Sequence, residues 1–559
     1  MLGFGGEPEE AAPFDADAVP RPRLKPPEEL GDLFTDDPYE RVVRAMGKSY
    51  CDVVRGFRGE VPRAPDLVAR PRSEVDVEYV LAWAEDAGAA VIPFGGGTSV
   101  VGGVDAAAAA GDVATAADAG ADAATAADRG ERPVITLDMR AMDRVLEVDP
   151  VSRAARIEAG ATGPRLEEQL REHGLTLRFF PQSFEYSTLG GWIATRAGGH
   201  FASGPTHIED SLESVGAVTP RGRWRSRRLP GSGAGPSPDR MLAGSEGVLG
   251  VITDAWLRVL PRPRFKASAS VGFGDFPTAA GALRALLQAG LAPANCRVID
   301  PLEAATTGAG DGSSALLLLG FESPELPVGT ELAAAIEIAR SAGGQIESDA
   351  AEQAIHAGTR ERDSASDRTA QGDGAAAGNR GDAAGAASAP NSAGAAAAES
   401  WRGAFLLAPY LRDTFVACGV LSETFETAIT WDRFAEFHAT VTETTRRAVA
   451  AASAPAATAE PRVTCRITHA YPDGPALYYT VLAPAVRGGE IEQWGEIKAA
   501  ASEAILAAGG SITHHHAVGR DHRPYYDRQR PDPFAAALRA AKHELDPAAI
   551  LNPGVLLSS

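Results

Sequence analysis

Pro93-Phe94-Gly95-Gly96-Gly97-Thr98-Ser99 is the stretch on which the reading of this chain turns. Glycine accepts positive φ and lets the backbone approach a ligand without a Cβ in the way. Successive N–H groups in such a turn form an anion-binding concavity. The apolar run Val91–Phe94 predicts a short strand that delivers the loop. Two further elements of this kind follow. One begins Pro181-Gln182-Ser183-Phe184-Glu185-Tyr186-Ser187-Thr188 and continues through Gly190-Gly191 to Thr195-Arg196-Ala197-Gly198-Gly199. The other is Gly244-Ser245-Glu246-Gly247-Val248-Leu249-Gly250. Three backbone cradles in one chain point to a large ligand with a pyrophosphate in its middle, read as FAD. There is no Walker A pattern. The triple glycine lacks the GxGxxG spacing, and a strand follows Gly308-Ala309-Gly310, so a Rossmann site is not supported.

A chain of 559 residues is too long for one core, and two or three domains are expected. With 74 acidic and 53 basic residues the formal charge is −21, which argues against nucleic acid and against electrostatic attachment to an anionic bilayer. Cys51, Cys296, Cys418 and Cys465 are far apart and form no CxxC pair. Reduced thiols and a cytoplasmic location are therefore expected rather than disulfides or structural zinc. Met1–Glu7 lacks the basic region and long apolar run of a signal peptide. No apolar run is long enough for a transmembrane helix, and Leu557-Ser558-Ser559 is not a peroxisomal tripeptide.

Four segments are expected. Residues 1–60 form an N-terminal arm with helices, irregular to about residue 40. Residues 61–265 form the FAD-binding domain, with a low-complexity insertion at 105–131. Residues 266–530 form a substrate (cap) domain, with a disordered insertion at 363–400. Residues 531–559 return to the FAD domain. Ser73 is placed as the N-cap of a helix carrying Val77, Val80, Leu81 and Ala84, stopped at Gly88. Strand signals lie at Val134–Leu137, with a hairpin of Val145–Val148 and Ala154–Glu158. Pro164 opens a helix that Gly174 closes. Beyond 266 a strand–helix rhythm predicts an α+β domain, with strands at Ala269–Phe273 and Ala315–Leu319 and helices near 278–289, 331–341, 431–452 and 490–507.

The order of these motifs resembles FAD-linked oxidases of the vanillyl-alcohol-oxidase type, and within them the alkyldihydroxyacetonephosphate synthases. Further matches are Tyr410-Leu411-Arg412-Asp413, Glu423-Thr424-Phe425-Glu426-Thr427 with Trp431-Asp432-Arg433, Cys465-Arg466-Ile467-Thr468-His469 and Ser511-Ile512-Thr513-His514-His515-His516. The resemblance covers roughly residues 40–555. It implies an α+β fold: a two-part FAD-binding domain plus a cap with an antiparallel sheet and C-terminal helices. Pro93, Phe94, Gly95, Gly96, Gly97, Thr98 and Ser99 would wrap the pyrophosphate. Ser183, Thr188, Thr195, Arg196, Ala197, Gly198, Gly244, Ser245, Glu246, Gly247, Val248, Leu249 and Gly250 would complete the flavin site. Gly95–Ser99 holds neither His nor Cys for covalent attachment, so non-covalent FAD is expected.

Consecutive strand residues point to opposite faces, so only His514 and His516 would share a side. No carboxylate or Cys accompanies them at ligand spacing, and no metal is assigned. Imidazole titrates near neutrality and suits proton transfer or phosphate binding. The resemblance makes His514, His515 and His516 an active-site cluster. It puts Arg412 at a substrate phosphate, where a planar guanidinium makes bidentate contacts. It puts Arg297 near the flavin, where a cation favours negative charge on the ring. In Leu477-Tyr478-Tyr479 only one tyrosine faces inward. The resemblance favours Tyr478 as the proton-transferring residue, with Tyr479 as the alternative.

The leading expectation is replacement of the acyl group of acyl-dihydroxyacetone phosphate by a fatty alcohol, with N5 of the flavin as a holding point and no net redox change. The competing expectation is a 2-hydroxy-acid dehydrogenase or oxidase of the D-lactate or glycolate kind, with Arg412 on a carboxylate. A flavin-binding protein without activity is the third. The partners expected are a small lipid-like or 2-hydroxy-acid substrate, a second copy in a homodimer, and a membrane touched peripherally.

Overall fold

The computed structural model describes residues 3–61, 63–106, 132–201, 203–361, 411–456 and 459–558. The low-complexity stretches 107–131 and 363–400, and Tyr410, lie outside the described residues.

The first glycine loop is delivered by local signals. Ser73 accepts a hydrogen bond from the Asp76 N–H and caps the helix Glu74–Asp86, which buries Val77, Val80, Leu81 and Ala84. Gly88, at φ +64°, turns the chain into the strand Ala90–Phe94. That strand lies at one edge of a four-stranded sheet, beside Val134–Asp138, then Leu67–Ala69, then Phe34–Thr35. Residues before 40 are thus not irregular throughout. Phe34–Thr35 pairs antiparallel with Val68–Ala69, and the Phe34 ring stands edge-on to Trp83 at 5.1 Å. A single aromatic in a Pro- and acid-rich arm is enough to anchor an edge strand when a buried face waits for it.

A second sheet is antiparallel, in the order Val145–Asp149, Ala154–Glu158, Val251–Arg258, Leu212–Thr219, Gly222–Arg225. The expected hairpin is its first pair. Its core includes Leu166, Leu170, Trp192, Ile193 and Leu257.

The larger body is one antiparallel sheet of six strands: Phe265–Phe273, Ala315–Ser323, Asn295–Ile299, Arg462–Ala470, Pro475–Pro484 and Val420–Ala428. The strand–helix rhythm gives no parallel pair here, because Ala315–Ser323 inserts between Phe265–Phe273 and Asn295–Ile299. Period-2 alternation assigns the faces. Cys296, Val298, Phe425, Cys465 and Tyr479 join the core shared with helices such as Phe276–Gln288, Phe434–Ser453 and Glu490–Ala507. Arg297, Glu426, Arg466 and Tyr478 occupy the alternate positions and therefore the opposite face. After the helix Asp532–Leu545 the chain returns to the first body, where Leu551 bridges Val91 and the Asn552 N–H donates to the Val91 carbonyl.

Candidate active site

The loop after Phe94 has no room for side chains. A Cβ on Gly95 would overlap the Thr188 hydroxyl, and one on Gly96 would overlap the Tyr186 carbonyl. Gly97 sits at φ +66°, where glycine alone is unstrained. The Ser99 carbonyl accepts from the Lys48 N–H at 2.7 Å, and Ser99 Oγ accepts from the Gly103 N–H at 3.0 Å. Among the described residues, the N–H groups of Gly96, Gly97, Thr98 and Ser99 donate to no protein acceptor. A row of free amides beside backbone that admits no Cβ is the donor set a pyrophosphate needs.

The third cradle is closed by the segment just after the histidine run and by the C-terminal return. Buried Glu246 accepts from the N–H groups of Val518 (2.9 Å) and Gly519 (2.8 Å). Asn552 donates to the carbonyls of Gly103 and Glu246. Burial pushes the Glu246 carboxyl up to about 7 despite those two donors. Gly244 and Gly247 both have positive φ, with a Cβ position 2.7 Å from Arg196 Cδ and 3.0 Å from Pro93. The Ser245 hydroxyl is buried without a protein partner, as expected of a group that meets a bound ligand. These residues fit FAD. Thr195 and Arg196 are otherwise engaged, Thr195 Oγ1 with the Gly191 carbonyl and the Arg196 guanidinium with Glu209.

The second part of the site belongs to the six-stranded sheet. Register places Glu426 opposite Tyr478, and Tyr478 opposite Arg466, on three adjacent strands. Glu426 is fully buried. Its Oε1 accepts from the N–H groups of His514, His515 and His516, and its Oε2 lies against His515 Nδ1. The histidine run is therefore not a strand. It is a bend wrapped around one carboxylate, so all three residues converge. The expectation that two share a side and no carboxylate accompanies them fails on this point. Strand pairing supplies a glutamate from about ninety positions upstream.

The rings of His515 and His516 lie 6.4 and 5.5 Å from that of Tyr478. Tyr479 is on the far face, its hydroxyl 3.1 Å from His438 Nδ1 and its ring stacked on Phe425. The Arg466 guanidinium lies 3.9 Å over the Tyr478 ring and is ion-paired to buried Glu303. Burial raises the Tyr478 phenol above its ordinary value, and Arg466 partly offsets this. Burial pushes His514 and His516 down to about 3, against the pull of Glu426. Burial alone would raise Glu426, but His515 and His516 beside it hold it well below the usual carboxylate range.

The two parts meet at Gly198–His200. A Cβ on Gly198 would stand 3.2 Å from both His469 Cε1 and His515 Cβ. His469 Nε2 lies 2.8 Å from the Gly199 carbonyl, and Arg297 Nη2 donates to the His200 carbonyl at 2.6 Å. Burial, then Arg466, pushes Arg297 down to about 9. Arg412 lies on the helix Leu411–Ala417 and donates to the Lys48 carbonyl, the residue whose N–H holds Ser99. Its charge reaches both Tyr478 and His516. Glu426, His469, Arg466 and Glu303 are the site residues that reading the sequence missed. The first three lie inside matched motifs, and strand alternation around Tyr478 was the available signal.

The family model for FAD linked oxidases, C-terminal domain, matches residues 262–556, and that for the FAD binding domain matches residues 104–226. The alkyldihydroxyacetonephosphate synthase of Caenorhabditis elegans is 29% identical over 532 residues, 94% of this chain and 81% of its own. The enzyme of that name from Dictyostelium discoideum is 28% identical over 554 residues, 94% of this chain and 79% of its own. A solved alkyldihydroxyacetonephosphate synthase superposes with a TM-score of 0.72 at 24% identity, covering 98% of this chain and 89% of that one. Substrate-bound p-cresol methylhydroxylase gives a TM-score of 0.62 at 13% identity, covering 94% and 93%. The last two are likenesses of fold.

Proposed function

This chain belongs to the FAD-linked oxidases, and on that premise we propose that it exchanges the acyl group of acyl-dihydroxyacetone phosphate for a fatty alcohol. FAD is its cofactor. Similarity to the synthases along almost the whole chain supports the reading. The single observation that carries it is the gathering of Tyr478 and the three histidines around buried Glu426, with His515 packed against Gly198 of the second glycine element.

The flavin, when bound, would supply an electron-accepting ring that lets the exchange proceed without net redox change. The other tasks fall to the chain. Arg412 binds the phosphate, its fork matching two phosphate oxygens. Tyr478 Oη moves a proton at the reacting carbon. Arg466 beneath the ring favours the phenolate, and burial keeps the proton in place until it is needed. His515 and His516 take the proton of the incoming alcohol, and Glu426 orients them. The acyl group leaves as a fatty acid, so atoms balance without net oxidation. Non-covalent FAD, cytoplasmic residence, a homodimeric state and peripheral membrane contact complete the reading. Four unpaired cysteines support the second of these, and a lipid-like substrate supports the last.

An anaerobic screen tests it. The yellow protein should release fatty acid from acyl-dihydroxyacetone phosphate and keep its colour when D-lactate, D-2-hydroxyglutarate or glycolate is added. Bleaching by one of those acids, with no fatty acid released, would replace the synthase reading with a 2-hydroxy-acid dehydrogenase.

A further inference from the structure

His514 does more than touch Glu426. Its Nε2 lies 2.9 Å from the Tyr471 hydroxyl, and that hydroxyl lies 2.9 Å from Thr206 Oγ1. Thr206 Oγ1 lies 3.2 Å from His207 Nδ1, and His207 Nε2 lies 3.3 Å from the His514 carbonyl. His514 Nδ1 lies 3.2 Å from His515 Nδ1, which also faces Glu426 Oε2. The roles in this chain follow from its two ends. A carboxylate only accepts, so His515 Nδ1 carries a proton, and the facing His514 Nδ1 is a lone pair. Neutral His514 therefore bears its proton on Nε2 and donates to Tyr471. At the other end the His514 carbonyl only accepts, so His207 bears its proton on Nε2 and its Nδ1 accepts from Thr206. Tyr471 must then donate to Thr206. Every donor meets an acceptor in one direction, from a buried carboxylate to His207, which keeps a minor part of its surface in solvent.

We propose that Tyr471 and Thr206 are the proton outlet of the site, carrying charge from the histidine cluster across the seam between the two bodies to His207. A proton taken up at His515 Nε2 displaces the one on Nδ1 to His514 Nδ1. The His514 Nε2 proton passes to Tyr471, the phenol proton to Thr206, and the hydroxyl proton to His207 Nδ1. One proton enters and one arrives, and each intermediate group gains one and loses one. His207 sits next to exposed Pro205 and Gly204, from which solvent removes the proton. Tyr471 follows the last residue of a strand of the six-stranded body and Thr206 belongs to the other, so the Tyr471–Thr206 step crosses between them. This inference rests on the reading of the cluster as the proton-handling part of the site.

The test uses the full-length, FAD-loaded protein and its Tyr471→Phe, Thr206→Val and Thr206→Ser variants. Tyr471→Phe and Thr206→Val should lower kcat roughly 100-fold, the scale of one positioned proton-transfer group, with KM and FAD content unchanged. Thr206→Ser should restore the rate, and added imidazole should partly rescue Tyr471→Phe. A raised KM with unchanged kcat, or no rescue by either route, overturns the relay. A second readout needs no turnover: nitrogen-15 spectra of histidine-labelled protein should show His514 and His207 as Nε2–H tautomers. An Nδ1–H tautomer at either ring overturns the relay. Wild-type protein that shows these tautomers but turns over no acyl-dihydroxyacetone phosphate would sink the synthase reading alone.

Discussion

Glu426 is the residue on which the site's geometry depends. It is one carboxylate, fully buried, that collects three consecutive backbone N–H groups and an imidazole. The choice between adjacent tyrosines follows from it, because only Tyr478 shares its face. Tyr478→Phe should cut turnover by roughly 100-fold with FAD content unchanged. Tyr479→Phe, which loses a hydroxyl that meets His438, Thr442 and Cys465 within a packed core away from Glu426, should leave kcat near wild type. Steady-state kinetics on both variants checks this, and equal losses would remove Tyr478 from the mechanism. The buried histidines also set an acid limit. The His516 ring titrates near 6.5 when unfolded and is pushed by burial to about 3 when folded. The unfolded chain therefore binds a proton that the folded chain refuses. Stability from this group is complete above about 6.5 and falls as pH drops toward 3. Glu246 and Asp521, raised by burial to about 7, act in the opposite sense, so the comparison with His516→Gln isolates the ring. Chemical denaturation between neutral pH and pH 5 should show a shallower loss for that variant, and an identical slope would contradict the assignment.

Elements declared themselves unevenly. The helix Glu74–Asp86 and the strand Ala90–Phe94 were legible because their signals are local: a capping serine, a spaced apolar stripe, a glycine stop. The glycine loop was legible for the same reason. Gly96→Ala would drive a Cβ into the Tyr186 carbonyl, a backbone atom that cannot step aside. That variant should purify with little flavin, whereas wild type should be yellow and release its FAD on denaturation. Absorbance of the denatured supernatant checks both, and full occupancy in the variant would argue against this loop as the cradle. The histidine run was misread as a strand because nothing local says otherwise. Its bend is imposed by Glu426, whose own position is set by pairing with a strand some fifty residues away. Phe34–Thr35 was hidden in the same way, inside a composition that reads as arm.

At the scale of the whole molecule, two bodies divide the chemistry. One contributes backbone amides and glycines; the other contributes ionisable side chains on one face of a six-stranded sheet. They touch at Gly198–His200, and Val518 and the C-terminal Asn552 both bond Glu246 of the third glycine element. The glycine clusters and the order of motifs made the division readable from sequence. The seam was not readable, because His469, Arg297 and Gly198 meet only through tertiary packing. The measurement that bears most directly on the central claim follows both products at once. FAD-loaded protein is given acyl-dihydroxyacetone phosphate and a radiolabelled fatty alcohol without oxygen. Labelled ether lipid and free fatty acid should form in equal amounts, with the visible flavin absorbance preserved after turnover. Fatty acid without labelled ether lipid, or a flavin left reduced, would contradict it.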